Sequence, residues 1–213
     1  ISNLQSLSRN YFNEGGQLVE TRAYFSFAGM SYSNSADLGS EGTNYYVTAF
    51  GYDAQGRQHR VVRGDGTIYR TVYDGQGRVV STWIGDNDTP TSGEWSPNNP
   101  AEMIRTALYE YDGGEVGDGL ATSVTDALGR VTTFSYDFRG LNTRAVDVSG
   151  NVWTTSYDGS GRETNAGFTW TNPDDPTDTR PVRGQTVYDA SGRPTRSVSP
   201  SGLVSTSQYD AAG

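Results

Sequence analysis

The dipeptide Tyr-Asp occurs seven times in this 213-residue chain, with tyrosines at Tyr52, Tyr73, Tyr111, Tyr136, Tyr157, Tyr188 and Tyr209. The intervals are 21, 38, 25, 21, 31 and 21 residues. Three are equal, and the others exceed 21 by 17, 4 and 10, so the pattern is a 21-residue lattice that carries insertions. A fixed period of this length marks a repeat architecture, in which each unit is one supersecondary element that depends on its neighbours.

A second element, Asp-x-x-Gly, runs inside the lattice. It begins at Asp53, Asp74, Asp126, Asp137, Asp147, Asp158, Asp189 and Asp210. Six of these aspartates follow a repeat tyrosine; Asp126 and Asp147 do not, which places two turns in a unit about half a period apart. Aspartate at the head of a type I turn accepts backbone N–H groups two residues on, and glycine at the fourth position adopts the positive φ that returns the chain to a strand. A type I turn followed by a glycine bulge is a common hairpin connection. Arginine comes next at Arg57, Arg78, Arg162 and Arg193, at the start of the returning strand.

The segments between turns, such as 141–146 and 151–157, have strand length and are rich in Val, Thr, Tyr and Trp. Alternation puts Trp153, Thr155 and Tyr157 on one face and Val152, Thr154 and Ser156 on the other; Tyr69, Thr71 and Tyr73 repeat the aromatic side. Ile68, Val131, Val152 and Val204 each stand five residues before a repeat tyrosine. Both faces are thus semi-polar, and neighbouring tyrosines are expected to stack into a ladder. The predicted fold is all-β: tandem antiparallel hairpins in a meander whose twist curls it into a spiral or tube. Residues 1–213 read as one array and as a fragment of a longer chain, with a degenerate repeat over 1–50 and clear repeats over 51–213. Insertions are expected near 84–107, 113–120 and 168–183.

Composition agrees with a thin sheet. Only 33% of residues are hydrophobic, yet 14 are tyrosine, 4 are tryptophan and 27 are glycine. A disordered chain would be poor in aromatics. The net charge is −9 and all 16 basic residues are arginine. An acidic surface argues against nucleic acid and anionic membrane as partners. Without cysteine there is no disulfide or thiol chemistry. No apolar run is long enough to span a bilayer as a helix, and no signal peptide is visible.

The stretch Tyr52-Asp53-Ala54-Gln55-Gly56-Arg57 and its copies at 73, 157 and 188 resemble the YD repeats of the rearrangement-hotspot (RHS) family. The resemblance covers roughly 51–213, and Tyr11-Phe12-Asn13-Glu14-Gly15-Gly16 looks like a degenerate copy. Tyr136-Asp137-Phe138-Arg139-Gly140 keeps the turn but has Leu141 where arginine would stand; Tyr111-Asp112-Gly113-Gly114 departs further, with Glu115 at the glycine position. The resemblance implies a sheet that spirals into a hollow shell. In bacterial relatives such a shell encloses a C-terminal toxin, in insecticidal toxin complexes it surrounds a cytotoxic cargo, and in teneurins it belongs to an adhesion receptor. The family's self-cleaving core and toxin domain have no counterpart in these residues.

Candidate sites are weighed against structural roles. The repeat set is Tyr52, Asp53, Gly56, Arg57, Tyr73, Asp74, Gly77, Arg78, Tyr136, Asp137, Gly140, Tyr157, Asp158, Gly161, Arg162, Tyr188, Asp189, Gly192, Arg193, Tyr209 and Asp210. Turn formation accounts for these aspartates together, without catalysis. His59, the single histidine, reads as an ordinary surface residue. Asp86 and Asp88 in one insertion, and Asp174, Asp175 and Asp178 in another, are clustered oxygens that a calcium ion would favour, though without the spacing of a known loop. These insertions otherwise read as solvated hairpin tips. Trp95 and Trp170 are candidate ligand contacts, by stacking on sugar rings or by packing on the sheet. Asn87-Asp88-Thr89 is a glycosylation sequon.

No catalytic, cofactor-binding or metal residue is assigned, and no cofactor is expected. The first reading is a structural shell segment of a large secreted or cell-surface protein. Its partners would be further repeats of the same chain and an enclosed cargo domain, toxin or other. The second is an extracellular adhesion or filament module that binds glycan or protein through the insertions. An enzyme acting on polysaccharide is a third, supported only by acidic residues that already have a structural role.

Overall fold

The computed structural model describes residues 6–31, 33, 34, 38–114, 117–172 and 174–210. It holds two compact units, residues 1–108 and 109–213. The first contains β1 (Leu7–Phe12), β2 (Leu18–Tyr24), β3 (Tyr45–Tyr52), β4 (Gln58–Val62), β5 (Ile68–Tyr73), β6 (Val79–Gly85) and most of β7 (Met103–Tyr111). Each pairs antiparallel with the next. The second contains β8 (Ala121–Asp126), β9 (Val131–Tyr136), β10 (Asn142–Val146), β11 (Val152–Tyr157), β12 (Glu163–Asn172), β13 (Asp175–Tyr188), β14 (Pro194–Val198) and β15 (Val204–Thr206), paired in the same way. The fold is the expected all-β meander, and the only helical element among the described residues is a 3₁₀ turn at Asp112–Gly114. Among the described residues no helix is long and apolar enough to cross a membrane.

Each hairpin turn closes by a paired backbone exchange. At the first clear repeat Gly56 N donates to Asp53 O and Asp53 N donates to Arg57 O, both at 2.9 Å. The turn glycines take φ near +80°, as at Gly56 (79°) and Gly161 (81°). At Tyr52, Tyr73, Tyr136, Tyr157 and Tyr188 the register slips by one residue: Gly51 faces Arg60 but Tyr52 faces Gln58. His59 is the extra residue there, and Thr143, Thr164 and Thr195 hold the same place in later repeats. Those threonine hydroxyls donate to the carbonyls of Ser135, Ser156 and Val187 at 3.1–3.3 Å, filling the gap that the bulge leaves in the ladder. The intervening turns use a looser sequence. Asp126 and Asp147 head two of them, but Arg63 and Ser199 head others with the same backbone bonds.

The insertions resolve into three kinds of structure. Residues 168–183 form the largely exposed end of an extended hairpin: β12 and β13 run on together, paired from Asn165↔Gln185 out to Thr171↔Thr179. The extra ten residues of that interval go into this hairpin, whose strands are 10 and 14 residues long with a register shift at Thr171/Asn172. In the 113–120 region Asp112 N donates to Leu120 O at 3.1 Å, and Asp112 Oδ1 accepts from Gly119 N at 2.7 Å. Leu120 therefore stands where arginine follows the other turns, and the four added residues are looped out; Glu115 lies outside the described residues. Residues 86–102 form a strap closed at its neck by Glu102 N donating to Asn87 O. A further excursion, 25–44, separates β2 from β3 within the degenerate repeat.

Two small cores follow. Tyr24, Leu38 and Tyr45 are buried beside Phe27, Met30 and Val47. Ile68, Trp83 and Met103 are buried beside Val62, Val72 and Trp95. The registers Tyr24↔Tyr45, Ala49↔Val62, Val62↔Ile68 and Arg70↔Trp83 put both cores on one face of the first unit. Both excursions fold over that face. The positions of Val131 and Val204 in the second unit match Ile68 by repeat, yet these residues are 45% and 56% exposed.

Gly161 and Gly159 sit in one turn and make a paired test. A side chain at Gly161 is strained by φ +81° although its space is open apart from Leu141 Cδ1 at 3.5 Å, whereas a Cβ at Gly159 meets nothing. Gly161→Ala is expected to lose about 1–2 kcal/mol in urea unfolding. Gly159→Ala is expected to be neutral or slightly stabilising by the same measurement.

Candidate functional site

The feature that recurs along the array is a clasp built from aspartate, arginine and tyrosine, complete at Asp53, Asp158 and Asp189. Asp53 Oδ1 accepts from Gln55 N at 3.0 Å and from Arg57 N at 2.9 Å, while Oδ2 accepts from Arg57 Nε at 2.7 Å. Asp74 with Arg78, Asp158 with Arg162 and Asp189 with Arg193 repeat this geometry. The guanidinium then spans to the next tyrosine. Arg57, Arg162 and Arg193 lie over the rings of Tyr73, Tyr188 and Tyr209 at 4.5–4.7 Å. Arg57 Nη1 also donates to Asp74 O at 3.1 Å.

Six repeat tyrosines bond back to the preceding hairpin. The hydroxyl donates to the carbonyl of the residue after the preceding arginine: Tyr73 to Gln58, Tyr188 to Glu163 and Tyr209 to Pro194. Tyr52, Tyr136 and Tyr157 reach Leu18, Ala121 and Asn142 in the same way. The expected tyrosine ladder is therefore corrected in one respect. At these three steps the rung between tyrosines is a guanidinium, because a cation on the ring face satisfies both groups at once.

Departures from the motif keep the bonds. Where Leu141 replaces arginine, Arg139 supplies Nε to Asp137 Oδ2 at 2.9 Å and Nη1 to Asp158 O. In the degenerate repeat Asn13 and Gln17 stand for aspartate and arginine, with Gln17 N donating to Asn13 Oδ1 at 2.9 Å and Gln17 Nε2 donating to Gly56 O. Tyr111 precedes the looped-out turn at Asp112, and Gly77, Gly140 and Gly192 take positive φ like Gly56.

The clasp carboxyls lie below the ordinary aspartate range. At Asp74 and Asp126 the guanidinium hydrogen bond is the largest cause, and at Asp158 and Asp189 the backbone N–H of the arginine is. At Asp53 and Asp137 desolvation is the largest influence and opposes the shift, but the summed hydrogen bonds outweigh it.

The strap residue that sequence reading passed over as a cluster member is Asp88, only 5% exposed at its side chain. Arg60 meets it with Nε at 2.6 Å and Nη2 at 3.0 Å, and Arg70 meets it with Nε at 2.7 Å. Arg60 and Arg70 stand directly opposite on β4 and β5, so one carboxylate joins two cations and ties the strap to the sheet. Hydrogen bonds from Arg60, partly opposed by desolvation, hold the Asp88 carboxyl low. Arg70 Nη1 lies 3.2 Å from His59 Nδ1. A guanidinium only donates, so Nδ1 accepts and His59 is neutral with its proton on Nε2. Desolvation and then Arg70 push the His59 pKa down. His59 is half-buried, not an open surface residue, and lines a cavity of about 590 Å³ with Arg60, Asp88 and Trp95.

The remaining sequence candidates fall as follows. Trp95 packs on the sheet: its Nε1 donates to Pro100 O, Trp83 meets it edge-on at 6.0 Å, and Arg70 covers it at 4.6 Å. Trp170 is 36% exposed on the long hairpin, with Arg180 at 5.5 Å from its ring. Asp178 pairs with Arg180 at 3.0 Å, and Asp175 Oδ1 accepts from Thr177. Asp86 is exposed at the start of the strap. Among the described residues no group of three His, Cys, Asp or Glu side chains is placed to hold a metal ion. Asn87 Oδ1 accepts from Thr89 N.

This geometry defines a class: an antiparallel hairpin-repeat sheet whose polar groups are spent on joining one hairpin to the next. The RHS Repeat family model matches residues 117–141 and 188–213, and the chain carries RHS repeats. The fold is that of a segment in the structure of the Photorhabdus luminescens Tc holotoxin pore with a mutation in TccC3. The TM-score is 0.60 at 13% identity, over 91% of this chain and 9% of that chain. A structure of TcdB2-TccC3 without the hypervariable C-terminal region aligns with 94% of this chain and 13% of its own, at 11% identity and a TM-score of 0.40. The chain thus spans about a tenth of the solved chains that it matches. No curated protein matches it.

Two measurements test the site. Asp88→Ala leaves Arg60 and Arg70 facing each other without a carboxylate; unfolding is expected to show a loss of roughly 2–3 kcal/mol, below the range for a fully buried pair because Arg60 is partly exposed. Stability should also fall with acid. The clasp aspartates have folded pKa values below the unfolded value of about 3.9, so their contribution is complete above that value and is lost as pH falls through the folded ones. His59 adds a shallow decline that begins near pH 6.5, about its unfolded value, because its folded pKa is depressed as well. His59→Gln should remove the shallow part and keep the steep fall below about pH 4. A urea midpoint that stays flat to pH 2.5 would contradict both assignments.

Proposed function

We propose that this chain is a wall segment of a large secreted or cell-surface RHS-repeat protein, and that the wall encloses a toxin or other cargo polypeptide. The observation that carries this reading is the clasp. It joins hairpin to hairpin through Asp, Arg and Tyr side chains and leaves a repeat able to continue indefinitely, which suits a wall better than a reaction centre. The likeness of fold to a segment of the Tc holotoxin structure supports it. The reading assigns no reaction and no cofactor; its partners are further repeats of the same protein and the cargo.

A second reading, adhesion through the insertions, is favoured by one feature. The hairpin at 168–183 continues as paired strands beyond the regular repeat and carries Trp170 partly exposed beside Arg180. An aromatic face with a neighbouring cation suits a glycan or a protein surface.

A density map of the intact protein that contains this segment separates the two. The wall reading expects the sheet to bound a closed space with polypeptide density inside. An open sheet with no enclosed volume rules it out. Excision of residues 168–183 in the same protein should leave the enclosed space intact but abolish glycan or cell binding if adhesion is the role.

A further inference from the structure

The strap over the first unit is anchored at a repeat position that recurs, unoccupied by any carboxylate, in the second. Arg60 stands eight residues after Tyr52, and its partner Arg70 stands three before Tyr73. Arg144 and Arg196 stand eight residues after Tyr136 and Tyr188, and the residues opposite them, Thr154 and Thr206, stand three before Tyr157 and Tyr209. The bulge after each repeat tyrosine is the same in all three hairpins, so the three arginines leave their strands on equivalent sides. Arg60 meets Asp88 with two hydrogen bonds. Arg144 and Arg196 are exposed, and neither has a carboxylate within ion-pair distance among the described residues; Arg196 Nη1 has only Gln185 Oε1 at 3.5 Å.

A third arginine shares that face. The registers Arg144↔Thr154, Thr154↔Gly167 and Gly167↔Arg183 place Arg183 in the same lateral row as Arg144. Val187, two pairs further along β13, faces Arg196. Three strand steps separate Arg144 from Arg183, about 14 Å at roughly 4.8 Å per step. Arg183 and Arg196 are a similar distance apart, about four residues along the strand plus one step across. The positions among them, such as Thr133, Ser135, Thr154, Asn165, Gln185 and Val198, are hydroxyls, amides and an aliphatic. Glu163 lines the same groove as Asn165, Gln185 and Val198, but it makes no ion pair with Arg144, Arg183 or Arg196. In a chain of net charge −9, these three guanidiniums stand without a carboxylate partner among the described residues.

We propose that this face of the second unit docks an extended acidic polypeptide segment, which lays carboxylates on Arg144, Arg183 and Arg196 as the strap lays Asp88 on Arg60. The chemistry that selects a polypeptide is the strap itself: the same chain solves the same repeat position with a carboxylate on a peptide backbone. Each carboxylate would accept two N–H groups from a guanidinium fork. At Arg144 and Arg196 the hydroxyl of Thr154 or Thr206 stands where Arg70 makes its second contact. An extended strand rises about 3.4 Å per residue, so acids about four residues apart match the length of each leg, with a bend of the segment at Arg183 where the across-sheet leg meets the along-strand one. The inference is independent of whether the sheet encloses anything.

The test is fluorescence anisotropy with a labelled extended peptide of about a dozen residues that carries aspartate at every fourth position and threonine, serine and glycine between, a spacing taken from the strand rise. The wild-type chain is expected to bind it with an affinity that falls as salt rises, and the Arg144→Gln/Arg196→Gln double variant to bind at least tenfold more weakly. Arg105→Gln removes an exposed arginine from the first unit and is expected to bind as wild type. Wild-type affinity in the double variant overturns the proposal, as does an equal loss in Arg105→Gln, which would mean unspecific attraction. Tighter binding of a sulfated polysaccharide at the same arginines overturns the choice of a polypeptide. Should the double variant fail to fold, peptide-induced shifts of the Arg144 and Arg196 Nε–H resonances in the wild-type protein decide: their absence at saturation overturns the assignment.

Discussion

One carboxylate per hairpin organises this protein. The aspartate that heads each main turn accepts two backbone N–H groups within its own turn and the Nε–H of the arginine that follows. It thereby fixes the turn and aims a guanidinium at the next repeat. The guanidinium covers the next tyrosine, and that tyrosine returns its hydroxyl to the strand from which the arginine came. A local hydrogen-bonding habit of aspartate becomes a bond between neighbouring units. A single exposed ion pair of this kind contributes little; repetition, shared geometry and the stacked ring make the series into a spine.

That economy explains how so little apolar matter is enough. Six hydrophobic residues are buried among those described, all in the first unit, and none is completely enclosed. The second unit holds its strands by backbone pairing, by clasps and by surface side-chain contacts such as exposed Trp153 against Phe168 at 4.8 Å. Among its described residues no excursion crosses its faces, and they stay open. The first unit differs because two excursions fold down on one side, and because the strap carries a carboxylate that satisfies two arginines otherwise set side by side.

The insertions show where reading the pattern worked and where it stopped. The interval excess of ten residues between Tyr157 and Tyr188 is visible in the sequence, but the same excess suits a loop or a longer hairpin. Pairing of Phe168 with Val182 and of Trp170 with Arg180 decides for the hairpin. Asp88 was legible only as one of several clustered acids. Its partners Arg60 and Arg70 lie 28 and 18 residues away, and nothing in the local sequence points to them. Substitutions such as Arg139 serving for the arginine that Leu141 displaces, or Gln17 for arginine, were equally hidden, because what is kept there is a hydrogen bond and not a residue type.

By itself the sequence determined the period, the hairpin turns, the strands and the meander, because Asp-x-x-Gly and alternating strand residues act over fewer than ten positions and need no distant partner. Only the tertiary structure decided which copies of a repeat position are buried. Ile68 and Val204 have the same place in the repeat, yet one is 5% exposed and the other 56%. The same holds for Arg60, bound to Asp88, and for Arg144 and Arg196, which face solvent. The physical reason is that a repeat encodes its own turn and pairing, while burial and charge neutralisation depend on whatever other segment is folded over it.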